Sequence, residues 1–248
     1  MQKFRHIAFI SKDPAKVYDY YHRLFGIEQV WLSPLGAVHV IDGLVNIAFI
    51  QQSTTAAEVA NTHRIDGRET DQRQGINHYG FLVDNVDKVL SKIGGNLQRG
   101  QTPQDGRPAE MRVVDPWGNK IDISAKGYLG RDDRRLPGIR HVVIQTQSPD
   151  QSADFYKSTF ELKEIKRNRD GSVLLSDGDV SVCLTEEQTI GKPGIQYFGI
   201  QVEDWSATEK RFQQIGLTLP AAEGETDEVK LRDPEGNLYA LSQKGWQS

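Results

Sequence analysis

Cysteine is nearly absent from this chain: Cys183 is the only one in 248 residues, which excludes an intrachain disulfide and leaves stability to an ordinary apolar core. Cys183 lies in the strand-like run Val180-Ser181-Val182-Cys183-Leu184, the setting of a buried, inert thiol rather than a nucleophile. Long hydrophobic runs are missing too. The longest are strand-sized, far below the roughly 20 residues of a membrane-spanning helix, and no cationic start followed by an apolar stretch marks an export signal. A cytoplasmic protein away from the membrane is therefore expected. There is no excess of positive charge: 30 Lys and Arg stand against 34 Asp and Glu, for a formal net charge of −4 and a pI near 5.9. That balance argues against a nucleic-acid partner.

What the chain does have is a repeat. Residues 138 to 245 echo residues 3 to 127: Gly138-Ile139-Arg140-His141-Val142-Val143-Ile144 answers the segment around Arg5-His6-Ile7-Ala8-Phe9-Ile10. Gly194-Ile195-Gln196-Tyr197-Phe198-Gly199-Ile200 answers Gly75-Ile76-Asn77-His78-Tyr79-Gly80-Phe81, and Asp233-Pro234-Glu235-Gly236-Asn237 answers Asp115-Pro116-Trp117-Gly118-Asn119. Within each half a weaker repeat of strand, helix and further short strands runs twice. The first helix has Asp13 as N-cap, Pro14 at its first position, apolar Val17, Tyr20, Tyr21 and Leu24, and Gly26 just past its end. Its counterparts are expected from Asn85 to Gly94, Ser148 to Phe160 and Asp204 to Gly216.

Four such units with a twice-used Asp-Pro-x-Gly-Asn turn resemble the vicinal oxygen chelate superfamily, which includes glyoxalases, type I extradiol dioxygenases, and fosfomycin and bleomycin resistance proteins. The likeness covers nearly the whole chain. It implies an α+β fold of four βαβββ modules in two tandem cup-shaped, open-barrel domains, over residues 1–127 and 138–248, with the charged, Gly- and Pro-bounded stretch 128–137 as linker. In that superfamily the first strands of both modules give His ligands and the last strand of the second module gives Glu. Carried over, these positions are His6, His78 and Asp122, the last a carboxylate one methylene shorter than usual. The fourth position known from glyoxalases falls on Ala48, which favours three ligands over four. In the second half the three positions read His141, Tyr197 and Ala240, so only the first copy is complete.

Alternation along strands supports this placement, since His6 shares a face with Ala8 and Ile10, His78 with Gly80 and Leu82, and Asp122 with Lys120 and Ser124. Taken singly, His6 is an ordinary strand histidine, as His141 shows. Two imidazoles and one carboxylate together hold a divalent metal with open positions, Fe(II) in first place and Mn(II) or Zn(II) as alternatives. His39 and His63 are candidates for proton transfer, since imidazole titrates near neutrality, whereas His22 on the first helix suits a surface or packing role. The polar connection from Gln51 to Gly75, with Arg64, Arg68 and Arg73, suits a lid, a dimer arm or a solvated loop. The expected function is a metal-dependent enzyme acting on a small molecule with vicinal oxygens, by extradiol-type ring cleavage, with a homodimer possible. A glyoxalase-type lyase or isomerase and a metal-free small-molecule binding protein stay open as alternatives.

Overall fold

The computed structural model describes residues 2–33, 36–52, 75–93, 109–186, 194–222 and 227–247. The first half contains β1 (Lys3–Ser11), α1 (Pro14–Phe25), β2 (Glu28–Leu32), β3 (Val38–Ile41), β4 (Asn46–Gln51), β5 (Gly75–Leu82), α2 (Val86–Ile93), β6 (Met111–Val114) and β7 (Lys120–Ser124). The second contains β8 (Gly138–Thr146), α3 (Pro149–Phe160), β9 (Lys163–Arg167), β10 (Val173–Ser176), β11 (Ser181–Glu186), β12 (Gly194–Gln201), α4 (Trp205–Gln214), β13 (Val229–Arg232) and β14 (Leu238–Ser242). Each half builds one seven-stranded sheet. The strand orders, β2-β3-β4-β1-β5-β7-β6 and β9-β10-β11-β8-β12-β14-β13, are the same. The α+β architecture of two tandem open cups read from the repeat is the one observed, with the first and third modules complete and βαββ described in the other two.

The helices begin where their caps predict. Asp13 Oδ1 accepts from Lys16 N, Ser148 from Gln151 N, Asp204 from Ala207 N, and Asn85 Oδ1 takes Lys88 N. Gly26 closes α1 with φ +67°, a left-handed geometry natural to glycine. The third helix ends at Phe160, as expected, and without a glycine: Glu161 holds the left-handed conformation with φ +58°. Its carboxylate is bound 3.0 Å away by Lys92 of α2, which ties the non-glycine cap to the neighbouring module.

Because strand side chains alternate, each sheet has two different faces. Ile7 and Phe9 of β1, Tyr79 and Phe81 of β5, and Ile121 and Ile123 of β7 point to the back and are at most 2 % exposed. There they join the second half in one continuous apolar core. Phe9 meets Phe198 of β12 edge-on at 5.6 Å, and Phe81 stacks on Phe160 of α3 at 4.1 Å. Each fully buried ring of this size contributes about 1.5–3 kcal/mol.

Two polar clasps, each made twice, fix how the halves meet. Asp42 in the β3–β4 turn accepts Leu44 N and Val45 N with Oδ1 and, with Oδ2, Ile139 N at the start of the other half's first strand, 2.5 Å away. Asp177 does the same in reverse, taking Asp179 N and Val180 N with Oδ1 and Phe4 N with Oδ2 at 2.6 Å. The second clasp uses the Asp-Pro-x-Gly-Asn turns: Tyr156 of α3 donates to Asp115 Oδ2 at 3.1 Å, and Tyr21 of α1 donates to Asp233 Oδ2 at 3.3 Å. No helix among the described residues is long and apolar enough to cross a membrane.

Candidate metal centre

The front face of the first sheet gathers the sequence-identified residues. His6 stands opposite Gly80 on the neighbouring β5, Ala8 opposite His78, and Gly80 in turn opposite Asp122 on β7. This register converges the three side chains, and the small partners Ala8 and Gly80 leave room beside the rings. One ligand atom from each of His6, His78 and Asp122 lies within 4.8 Å of the others, and all three residues are buried. Asp122 is not a solvated edge residue, because β7 runs between β5 and β6.

Both imidazoles are set in orientation by their Nδ1 atoms. His6 Nδ1 lies 2.8 Å from Asn46 Oδ1, and Asn46 Nδ2 donates to Val40 O, so Oδ1 is the acceptor and His6 carries its proton on Nδ1. His78 Nδ1 lies 3.0 Å from Asn77 Oδ1, while its Nε2 accepts from Arg112 Nη2 at 2.9 Å. Each ring therefore presents Nε2 as a lone-pair donor, with a second-layer oxygen fixing the tautomer as metal-ligating histidines require. Burial first, then the guanidinium of Arg112, holds the His78 pKa well below the usual imidazole value. It is neutral and able to ligate.

Arg112 is the residue that sequence reasoning missed. It lies directly across the β6–β7 hairpin from Asp122 and grips both carboxylate oxygens, Nε to Oδ1 at 2.5 Å and Nη2 to Oδ2 at 2.8 Å. Burial raises the Asp122 pKa, but Arg112 and His78 outweigh it and leave the carboxyl well below its ordinary range. The signal was present in the turn: with Asp115 and Asn119 closing the loop, residues 112 and 122 are three steps out on either side. The donor set thus fits a divalent cation in chemistry, tautomer and proximity, and the guanidinium is its competitor for Asp122.

Around the centre, His6, His39, Ala48, Ile50, His78, Ala109, Asp122 and Tyr128 line a pocket with about 280 Å3 of empty space. That space includes open solvent at the mouth, so the enclosed part beside the three side chains is small. Ala48 faces the pocket where a fourth ligand would come from, and His39 is its cross-strand partner. His39 Nδ1 lies 3.4 Å from Asn46 Oδ1, and its ring packs 4.7 Å from Trp31. The structure thus brings His39 to the pocket wall. His63, Arg64, Arg68 and Arg73 lie outside the described residues.

Among the described residues the second cup holds no comparable set. His141 Nδ1 is bound to Ser181 Oγ at 2.7 Å, Tyr197 donates to Glu228 Oε1, and Lys230 sits over the Tyr197 ring. Burial first, then Lys230, pushes the His141 imidazole down to about 3. An unfolded histidine takes its proton near 6.5, so between these values the unfolded chain binds more protons and stability falls on acidification. The slope is about 1.4 kcal/mol per pH unit. His141→Phe is expected to flatten urea-derived stability between pH 6.5 and 4.5 by that amount, and curves parallel to wild type would refute it.

The matching family model, described as the Glyoxalase/Bleomycin resistance protein/Dioxygenase superfamily, covers residues 3–123 and again 138–241. The chain belongs to this superfamily. No curated protein matches its sequence. Among solved structures it is similar to the 2,3-dioxygenase LapB from Pseudomonas sp. KL28, with a TM-score of 0.71 at 12% identity over 99% of this chain and 93% of that one. It is also similar to the Mn(II)-bound glyoxalase from Novosphingobium aromaticivorans, with a TM-score of 0.71 at 13% identity over 99% and 83%. Homoprotocatechuate 2,3-dioxygenase from Brevibacterium fuscum aligns with a TM-score of 0.67 at 10% identity over 98% and 81%. At such identities the superfamily likeness is one of fold.

Proposed function

We propose that this superfamily member is a metal-dependent enzyme whose centre is His6, His78 and Asp122 in the first cup, and whose reaction is ring cleavage of the extradiol type on a small vicinal diol. The observation that carries the reading is the convergence of one ligand atom from each of two imidazoles and a carboxylate within 4.8 Å on a buried face. When bound there, a divalent ion supplies Lewis-acid charge to vicinal oxygens and, as iron(II), redox capacity for dioxygen chemistry. Asn46 and Asn77 orient the ligating rings, while Ala48, Ile50 and Ala109 give the pocket an apolar wall. Ala48 in place of a fourth donor favours three ligands and open positions over the glyoxalase-type reading.

Arg112 favours a second reading, a metal-free binding cup in which the guanidinium is the resident cation. Elemental analysis of protein purified without chelator separates the two. About one Fe, Mn or Zn per chain is expected in wild type and in His141→Ala, and none in His78→Ala. Equal metal loss in both variants would sink the proposed centre. Oxygen uptake with catechols by the iron-loaded protein then tests the reaction class.

A further inference from the structure

Tyr128 follows β7 in the stretch that the sequence assigned to the linker, yet it is 3 % exposed. Its ring stacks flat on His6, with centroids 5.0 Å apart and planes 5° from parallel. Its hydroxyl reaches over Gly80, where an added Cβ would come within 2.8 Å of it, and Tyr128 lines the same pocket as His6, His78 and Asp122. That hydroxyl is buried and finds no hydrogen-bond partner among the described residues. Leaving such a group unpaired costs about 1–3 kcal/mol, and a phenylalanine would make the same stack without that cost.

The second cup repeats the arrangement with the difference that matters. Trp246 stacks on His141 at 4.8 Å and 7°, and it crowds Gly199 as Tyr128 crowds Gly80. There the polar atom is satisfied, because Trp246 Nε1 donates to Glu228 Oε2 at 2.7 Å. The equivalent carboxylate in the first cup, Glu110, instead takes Ala125 N at 2.6 Å and pairs with Lys126. An aromatic residue over the histidine is thus common scaffold. A hydroxyl left over, aimed at the ligand centre, belongs to the first cup.

We propose that Tyr128 is a ligand-contacting residue, its hydroxyl donating a hydrogen bond to an oxygen atom of the small molecule bound against His6, His78 and Asp122. It thereby selects molecules with an anionic or strongly accepting oxygen at that point. The inference rests on the reading of this cup as a metal centre. A phenol keeps its proton at neutral pH, so the group is a donor.

The test is Tyr128→Phe, which keeps the stack and deletes only the hydroxyl. Both proteins are titrated with Co(II), and the Co(II)-loaded forms with 4-nitrocatechol, a chromogenic vicinal diol followed by absorbance. Unchanged Co(II) affinity, diol binding about tenfold weaker, and ligand-free thermal stability no lower than wild type are expected. Equal diol affinity in the two loaded proteins overturns the inference, as does a variant that loses Co(II), which would make Tyr128 a support for His6 instead. Absence of Co(II) binding in wild type overturns the metal reading itself and this inference with it.

Discussion

Arg112→Met is expected to weaken the metal-free protein and tighten its hold on a divalent ion. The guanidinium and the Asp122 carboxylate are each about 3 % exposed, and removing one member of such a pair strands the other charge at a cost of about 3–5 kcal/mol. For a chain of this size that is a fall in Tm of roughly 10 °C. The same change frees both carboxylate oxygens and the His78 lone pair from their competitor, so Co(II) or Zn(II) binding by calorimetry is expected to strengthen tenfold or more. Saturating metal should then restore the lost stability.

The sign with pH follows from the direction of the shift. In wild type the Asp122 pKa is depressed, so its stabilising contribution is present above the unfolded value near 3.9 and is lost as pH falls through the folded value. In Arg112→Met burial is no longer offset by the guanidinium, the pKa rises, and the defect is largest at neutral pH and shrinks on acidification. A variant whose metal affinity equals that of wild type would show that Arg112 does not compete for the centre.

Asp42→Ala and Asp177→Ala should be the most damaging single changes outside the centre. Asp42 and Asp177 each accept three backbone N–H groups, two in their own turn and one from the opposite half. Stranding these donors is expected to cost about 3–5 kcal/mol in either variant. Burial raises the pKa of both carboxyls against the pull of Arg140 on Asp42 and of Arg5 and backbone donors on Asp177. Asparagine is expected to rescue poorly, because its NH2 must face an N–H at one end or the other. Glu209→Ala, at an exposed position of α4, should change stability by less than about 0.5 kcal/mol. Urea unfolding of the four proteins decides it, and a near-neutral Asp42→Ala would show that the clasp contributes little.

The repeat made the fold legible, because two halves with the same helix caps and the same Asp-Pro-x-Gly-Asn turn can share only one architecture. Alternation placed His6, His78 and Asp122 on the front face, and it put His39 near them. Arg112 required the hairpin register, which the turn contained but single-strand alternation did not use. Tyr128 was hidden by its charged, Gly-flanked neighbours, whose composition describes a connection and not the one aromatic ring that folds back over His6. Asn46 and the clasps through Asp42 and Asp177 depend on contacts between distant segments, which local patterns do not encode.

The back faces and the front faces of these strands answer to different demands. Residues at odd positions of β1, such as Ile7 and Phe9, serve adhesion between the halves, whereas His6 and Ala8 serve the pocket. A period of two lets one be rewritten without touching the other. The second half, with Tyr197 and Ala240 in the matching positions, differs on its front, while on its back Asp177, Asp233 and Tyr156 grip the first half. Detaching it would remove Asp177 and Asp233 from the first half and uncover the rings behind His6, His78 and Asp122. The half without the ligand set is the anvil against which the other is shaped.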